Sequence, residues 1–165
     1  MSVAYAYAEI LRELTNEDIR EVYDVNLDVN EPDVLDNYLL NVACEYFQVE
    51  NVEFFISKGA NLEYKTDFCN TPLLIAIDYG HLNHDAALKI VQLLLDNGAN
   101  IEARGWMMYT PFLLACVRGD LDIVKLLVSK GCDVNATVED FGEVDNALML
   151  ADIREVREYL KTVMH

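Results

Sequence analysis

The strongest constraint on the fold is the run from Tyr109 to Ala136, which reads as two short helices joined by a turn. Thr110 is a residue type that caps helix starts, and Pro111 follows it where a missing N–H costs nothing. Apolar residues recur at helical spacing on both sides of Gly119, a residue type that ends helices. Gly131 ends the second helix in the same way. Such a helix–turn–helix unit has one apolar side and is too small to bury that side alone.

The unit has copies upstream in the chain. A copy that also opens with Thr-Pro ends at Gly98, which lies 33 residues before Gly131. A looser copy has Ala43 where the following copy has Ala76, and this spacing is again 33 residues. Because stacked copies bury a shared apolar core, the pattern predicts an extended array of helix pairs.

A 33-residue period with the motifs T-P-L-x-x-A and G-A-N/D resembles the ankyrin repeat family, which carries them here at Thr71–Ala76 and Gly98–Asn100. The resemblance weakens toward the ends but extends over nearly the whole chain. It implies an all-α ankyrin-repeat solenoid of about five helix–turn–helix repeats with short β-turn or hairpin fingers. We expect a single domain over residues 1–165, made of a capping repeat (about 1–30), three repeats (31–63, 64–102 and 103–136) and a truncated C-terminal cap (137–165).

Helices are expected at particular places in the two less regular copies. The capping repeat reads as helices from Ala4 to Leu14 and from Glu17 to about Asp24. The next copy reads as helices from about Leu39 to Tyr46 and from about Val49 to Ser57. Phe47 stands between these two where the family has glycine, which leaves the geometry of that turn open.

The copy at 64–102 carries a six-residue insertion between Leu82 and Ile90. Asn83 is a good helix cap, so we read the insertion as an N-terminal extension of the second helix by roughly 9 Å. His84 and its histidine neighbour in the turn could suggest a metal site. No further ligand stands at a fixed spacing, so we expect no metal and no cofactor.

The chain carries a net charge of −17, and the acidic residues concentrate toward its start. The first 60 residues hold 13 acidic and three basic residues, whereas the remaining 105 hold 16 and nine. Such a field repels nucleic acid and anionic lipid, and it speeds encounter with a basic partner. The plainer interpretation, an acidic and therefore soluble repeat protein, also fits the charge.

The start of the sequence, its apolar runs and its cysteines indicate in which compartment the protein is expected. The start, MSVAYAYAEILRE, has no basic region typical of a signal peptide, and no run approaches the roughly 18 apolar residues of a membrane span. Cys44, Cys116 and Cys132 stand at or beside positions of small core residues and form no CxxC pair. We therefore expect a cytoplasmic protein without disulfides or a membrane partner.

Known catalytic motifs are missing from the sequence, and we expect no enzyme activity and no catalytic residues.

The candidate functional surface is the concave one, which ankyrin proteins build from finger tips and the ends of the first helices. Large aromatic and Met side chains at these tips favour a protein partner, because structural turns carry small polar residues. Alternatively, Trp106 and Met107 pack inside the monomer. The positions that the resemblance assigns to this surface are Val34, Leu35, Asn37, Glu45, Tyr46, Asp67, Phe68, Asn70, Asp78, Tyr79, Trp106, Met107, Tyr109, Val117, Arg118, Phe141, Glu143 and Asp145.

These residues lead to a hypothesis and two rivals. The hypothesis is a stand-alone stoichiometric binder or inhibitor of a basic protein, similar to an immunity protein or antitoxin, that is a monomer or weak oligomer. The first rival is an adaptor or a self-assembling repeat protein. The second is a mimic of nucleic acid, in which the acidic N-terminal end imitates a phosphate backbone; we expect no binding of nucleic acid itself.

Overall fold

The computed structural model of the chain describes residues 11, 28–33, 35–140 and 143–164. The expected capping helices at Ala4–Leu14 and Glu17–Asp24 lie outside these residues except for Leu11, which is helical and buried.

The described part of the chain is a stack of antiparallel helix pairs that ends in a hairpin and a final pair. First helices pack on first helices and second helices on second helices, so the stack has two layers. The first layer contains α1 (Leu39–Glu45), α3 (Pro72–Asp78), α5 (Pro111–Arg118) and α7 (Ala147–Leu150), and the second contains α2 (Val49–Ser57), α4 (His84–Asp96), α6 (Leu121–Ser129) and α8 (Arg154–Val163). Strands β1 (Thr137–Asp140) and β2 (Glu143–Asn146) pair antiparallel, with Thr137 opposite Asn146. This arrangement confirms the all-α ankyrin-repeat solenoid.

Helix starts follow the capping residues that the sequence indicated. The side chain of Thr71 accepts the N–H of Leu74 at 3.5 Å, and that of Thr110 accepts the N–H of Leu113 at 3.3 Å. Proline occupies the first turn of both helices. Helix α1 begins after Tyr38 without a side-chain cap, since the Thr-Pro pair is missing there.

The core consists of small residues in the first helices and branched or aromatic residues in both layers. Ala43, Ala76 and Ala115 occupy equivalent positions and are fully buried, which lets neighbouring first helices approach closely. Phe55 and Leu127, from the second helices, are also fully buried. Burial of each of these two side chains contributes roughly 1.5–3 kcal/mol to the stability of the stack.

The six-residue insertion lengthens a second helix, although by less than predicted. Helix α4 has 13 residues, four more than the nine of α2 and of α6. The prediction that all six residues extend the helix is therefore wrong. Gly80–Leu82 forms a 3-10 turn before this helix. The Asn83 side chain then caps the start of α4 by accepting the N–H of Ala86 at 3.4 Å.

A repeated hydrogen bond fixes each connecting loop to the next one. Glu63 Oε1 accepts the N–H of Asn100 at 2.8 Å, and Glu102 Oε1 accepts the N–H of Asp133 at 2.7 Å. These acceptors occupy equivalent places in successive repeats, and so do the donors. The loops are thus held in register, which sets the positions of the fingers that follow them.

Candidate functional site

Three consecutive fingers each form a tight turn before a first helix, and in the third of them Met107 also has a positive φ, 55°. The turns are closed by hydrogen bonds from Asp36 N–H to Asp33 O, from Cys69 N–H to Thr66 O and from Met108 N–H to Gly105 O, at 2.8–3.0 Å. Asp36, Cys69 and Met108 have φ of 58°, 61° and 59°. These residues adopt the left-handed conformation without being glycine, at a local cost of about 1–2 kcal/mol each.

The turn at Phe47, left open by the sequence, uses the same conformation. Its φ is 57°, close to the 73° of Gly119 at the corresponding turn two copies later. The geometry of the repeat therefore imposes a left-handed backbone conformation that phenylalanine normally disfavours.

Neighbouring fingers are tied together, which gives the surface above them a defined shape. Lys65 Nζ donates to Arg104 O at 2.9 Å, and Arg104 Nη1 donates to Met108 O at 2.8 Å and to Thr137 O at 3.1 Å. The rings of Tyr38 and Tyr64 stack with their centroids 4.1 Å apart. The backbone and side-chain contacts together connect one finger to the next.

A groove of about 420 Å³ runs between the fingers and the C-terminal ends of α1 and α3. We call it the finger-side groove. Its walls carry both large apolar and acidic side chains, and Ile75 lies at its base, almost fully buried. The lining residues are Leu35, Asp36, Asn37, Glu45, Thr66, Asp67, Phe68, Asn70, Ile75, Asp78, Tyr79 and Trp106.

Large apolar side chains at the finger tips face solvent. Phe68 is 72% exposed, Leu35 64% and Trp106 59%, and Met107 is exposed as well. The alternative in which Trp106 and Met107 pack inside the monomer is therefore wrong. Leu35, Phe68 and Met107 occupy equivalent tip positions, so three successive fingers each present an apolar side chain at the same place.

The electrostatic field in the finger-side groove is negative. Asp36, Glu45 and Asp67 line it and form no ion pair within the part of the chain that the structure describes. Burial raises the pKa of the Tyr79 hydroxyl, and the nearby carboxylates of Glu45 and Asp78 raise it further. Only the part of this rise in pKa that comes from the carboxylates reflects the negative charge beside the hydroxyl, because negative charge disfavours the phenolate.

One basic residue at the groove is already paired. Arg118 Nε donates to Asp78 Oδ1 at 2.8 Å, and a second guanidinium nitrogen, Nη2, contacts the same oxygen. Arg118 therefore neutralises Asp78 and also opposes the rise in the pKa of Tyr79. The other basic residues of the fingers, Lys65 and Arg104, donate to backbone carbonyls as described above.

Of the eighteen positions assigned to the concave surface, the structure brings nine together in the finger-side groove. Arg118 borders the groove through Asp78, and Met107 is exposed on the third finger. Tyr46 and Tyr109 are half-buried against the core, and Val117 and Asp145 are also half-buried. Val34 and Phe141 lie outside the described residues, and only the backbone of Glu143 is described, in β2. The nine in the groove are Leu35, Asn37, Glu45, Asp67, Phe68, Asn70, Asp78, Tyr79 and Trp106.

Sequence reasoning missed three features of this region. Ile75 reads as a core residue and gives no sign that it lies at the base of the groove. Met108 is exposed and adopts the left-handed turn conformation, which its residue type does not suggest. The pair of Asp78 and Arg118 joins residues 40 positions apart, and only the stacking of α3 on α5 brings them together.

A second, shallow depression of about 820 Å³ lies over the second helices. It is larger and mostly apolar, with Leu88, Leu93 and Leu126 in its lining and Lys89 and Lys125 at its edge. None of the described residues that line it is aromatic. The finger-side groove combines exposed rings with carboxylates that form no ion pair among the described residues, so it is the better candidate for specific recognition.

The histidine of the insertion forms a separate contact between repeats. His84 Nδ1 lies 2.9 Å from Asp120 Oδ2, and its Nε2 lies 3.3 Å from Asp122 Oδ2. Partial burial alone would lower the pKa of His84, but the two carboxylates outweigh this effect and raise it.

Within the described residues, no group of three His, Cys, Asp or Glu side chains is placed to hold a metal ion. None of the described helices is both long enough and apolar enough to cross a membrane.

Comparison with known proteins agrees with this architecture. The family whose model matches the chain is described as ankyrin repeats, and it matches in three overlapping copies at residues 1–105, 40–138 and 87–162. A search of curated proteins found no sequence that matches the chain.

Proposed function

We propose that this chain, which belongs to the ankyrin repeat family, binds a basic protein through its finger-side groove. Ankyrin repeats are protein–protein interaction modules, and ankyrin repeat proteins are in general binding proteins rather than enzymes. The family thus supplies the class of activity. The basic nature of the partner and the use of this groove are our proposal.

The observation that carries the proposal is the combination of side chains in one groove. Phe68 and Trp106 are exposed in the same cavity as Glu45 and Asp67, which form no ion pair within the described chain. Exposed aromatic side chains are the residue types that anchor protein interfaces. Unpaired carboxylates around them favour a positively charged partner and penalise an acidic one.

We further propose that binding acts by obstruction, as in a stoichiometric inhibitor of the immunity or antitoxin kind. A surface that recognises a partner without reacting with it affects that partner by covering its surface. The net charge of −17 would accelerate encounter with a basic enzyme or toxin. A cytoplasmic location fits the four cysteines, all free thiols, because disulfides are rare in reducing compartments.

Affinity capture from a native lysate, read by mass spectrometry, tests the proposal. The wild-type protein, a Trp106→Ala variant and a Leu82→Ala variant serve as baits, since Leu82 is exposed but lies outside the groove. The proposal expects a basic protein that the wild type and Leu82→Ala retain and Trp106→Ala loses. Capture that Trp106→Ala leaves unchanged, or a captured protein that is acidic, would contradict it.

Light scattering separates the rival role in self-assembly. The proposal expects a monomer or weak oligomer whose mass is the same for the wild type and for Trp106→Ala. A stable symmetric oligomer that Trp106→Ala dissociates would instead assign the groove to contacts between copies of this chain.

A further inference from the structure

We propose that the finger-side groove takes an arginine side chain of the partner, with the guanidinium group against the rings of Phe68 and Trp106 and paired with Glu45 or Asp67. This inference rests on the proposed function, because the arginine belongs to the bound protein. It names the chemical group that the groove recognises.

The two rings offer free faces to a cation. Phe68 and Trp106 both line the groove, and neither stacks on another aromatic ring within the described residues. Trp is the best aromatic side chain for a cation–π contact, and guanidinium groups make such contacts more often than ammonium groups. Arginine also stacks its planar head on aromatic faces, which lysine does not do.

The carboxylates supply the complementary charge. Glu45 and Asp67 approach the groove from α1 and from the second finger, and neither pairs with a cation of the described chain. The neighbouring basic residues are engaged elsewhere: Lys65 and Arg104 donate to backbone carbonyls, and Arg118 pairs with Asp78. The groove thus has an uncompensated negative charge that an incoming cation can neutralise.

The pair of Arg118 and Asp78 shows how this edge of the groove binds a guanidinium. Two nitrogens of Arg118 contact one carboxylate oxygen of Asp78 there. Since Asp78 is occupied in this way, the carboxylates left to accept a partner's guanidinium include Glu45, at the C-terminal end of α1, and Asp67, on the second finger. The volume of about 420 Å³ is at the small end of binding cavities and fits one or two side chains of a partner.

The chain has a built-in reporter for this test, because Trp106 is its only tryptophan. The indole N–H resonance of Trp106 in an NMR titration therefore reports on the finger-side groove. The probes are three blocked tripeptides, acetyl-Gly-Xaa-Gly-amide, in which Xaa is arginine, lysine or citrulline. Citrulline has the shape of arginine without its charge.

The expected result is a saturable shift with the arginine peptide and no saturable shift with the citrulline peptide. The lysine peptide should bind about two- to fivefold more weakly, because its ammonium group lacks the planar stacking and the fork geometry of the guanidinium. Glu45→Gln and Asp67→Asn should each weaken binding of the arginine peptide about two- to fivefold, as for an exposed ion pair. Glu50→Gln, which removes the same charge from the outer helix α2, should leave it unchanged.

The outcomes separate this inference from the proposed function. Equal shifts with the arginine and citrulline peptides, or no saturable shift with the arginine peptide, overturn the arginine inference even if a basic protein is captured. Binding of the arginine peptide that depends on Glu45 and Asp67 supports the inference even if no basic protein is captured, in which case the proposed function fails alone.

Discussion

The side chain of Asn70 holds the backbone of Trp106 in place across two fingers. Asn70 Oδ1 accepts the N–H of Trp106 at 3.0 Å. The approach is close because Gly105 stands next to Trp106: a Cβ atom at Gly105 would lie 2.4 Å from Asn70 Oδ1 and 2.6 Å from Leu74 Cδ1. The absence of a side chain at Gly105, rather than an unusual φ, lets the third finger dock on the second.

We expect Gly105→Ala to destabilise the protein by about 1–3 kcal/mol, the usual cost of an overpacked contact. Urea unfolding measures this loss. Asn70→Ala should cost about 1 kcal/mol through the lost hydrogen bond. In the double variant the clash with Asn70 disappears, so the combined loss should be smaller than the sum of the two single losses. Strict additivity would show that Gly105 and Asn70 do not act through one contact.

The His84 contact predicts a dependence of stability on pH. Because Asp120 and Asp122 raise the pKa of His84 in the folded state, the protonated imidazole favours folding. The contribution is complete below the ordinary histidine pKa and is lost as pH rises through the higher folded-state pKa. His84 is exposed, so the effect should stay below about 1 kcal/mol.

The measurement compares the free energy of unfolding of the wild type and of His84→Gln. We expect the free energy of unfolding of the wild type to exceed that of His84→Gln by more at about pH 5.5 than at about pH 8.5. These values lie on either side of the range in which histidine titrates. Taking the difference cancels the titration of groups common to both proteins. An advantage that grows with pH would mean that His84 binds these carboxylates as the neutral imidazole.

The free thiols should differ sharply in reactivity. Burial raises the pKa of Cys44 far above its usual range and that of Cys116 to about 12. Burial and the acidic neighbours Glu102 and Asp133 raise the pKa of Cys132 to about 12. Cys69 is the exposed thiol, at the tip of the second finger. Since the thiolate is the reactive form, alkylation of the folded protein should modify Cys69 alone.

Intact mass after brief alkylation at neutral pH checks this expectation. The folded wild type should gain one adduct and the unfolded protein four, one for each cysteine in the sequence. Cys69→Ser should gain none when folded. Modification of Cys116 without denaturant would reveal opening of the stack between α5 and the last helix pair.

The sequence predicts the helices well because their signals are local. Thr71 and Thr110 cap the helices that they were expected to cap, and Gly119 ends α5 in the left-handed conformation. The fingers are harder to predict, since Cys69 and Met108 adopt left-handed turns that their residue types disfavour. Only the fixed spacing of the stacked repeats imposes those turns.

Only part of the finger-side groove can be predicted from the sequence, because its ion pairs depend on how the repeats stack. The family pattern assigned Phe68, Trp106 and Glu45 to the concave surface, and the structure has them in one cavity. Which carboxylates remain unpaired depends on distances between repeats. The pairing of Arg118 with Asp78 leaves Glu45 and Asp67 as acceptors, and this distinction cannot be read from spacing alone.

The last prediction concerns affinity and rate for the captured partner. If Trp106 is an anchor, Trp106→Ala should cost at least about 2 kcal/mol, or roughly 30-fold in Kd. Glu45→Gln should act mainly on the association rate, because the carboxylate is exposed and steers a basic partner at long range. The association rate of the wild type should fall as salt rises, since mobile ions screen the field of the groove. Surface plasmon resonance measures both rates.

The matched controls are Met149→Ala and Glu50→Gln, which change an exposed apolar and an exposed acidic residue outside the groove. Both should bind like the wild type, because only charges and rings that face the partner alter the encounter or the contact. If Trp106→Ala binds as tightly as Met149→Ala, the aromatic anchor lies elsewhere. If Glu45→Gln and Glu50→Gln slow association equally, the total charge steers the partner, and the carboxylates of the groove have no special role.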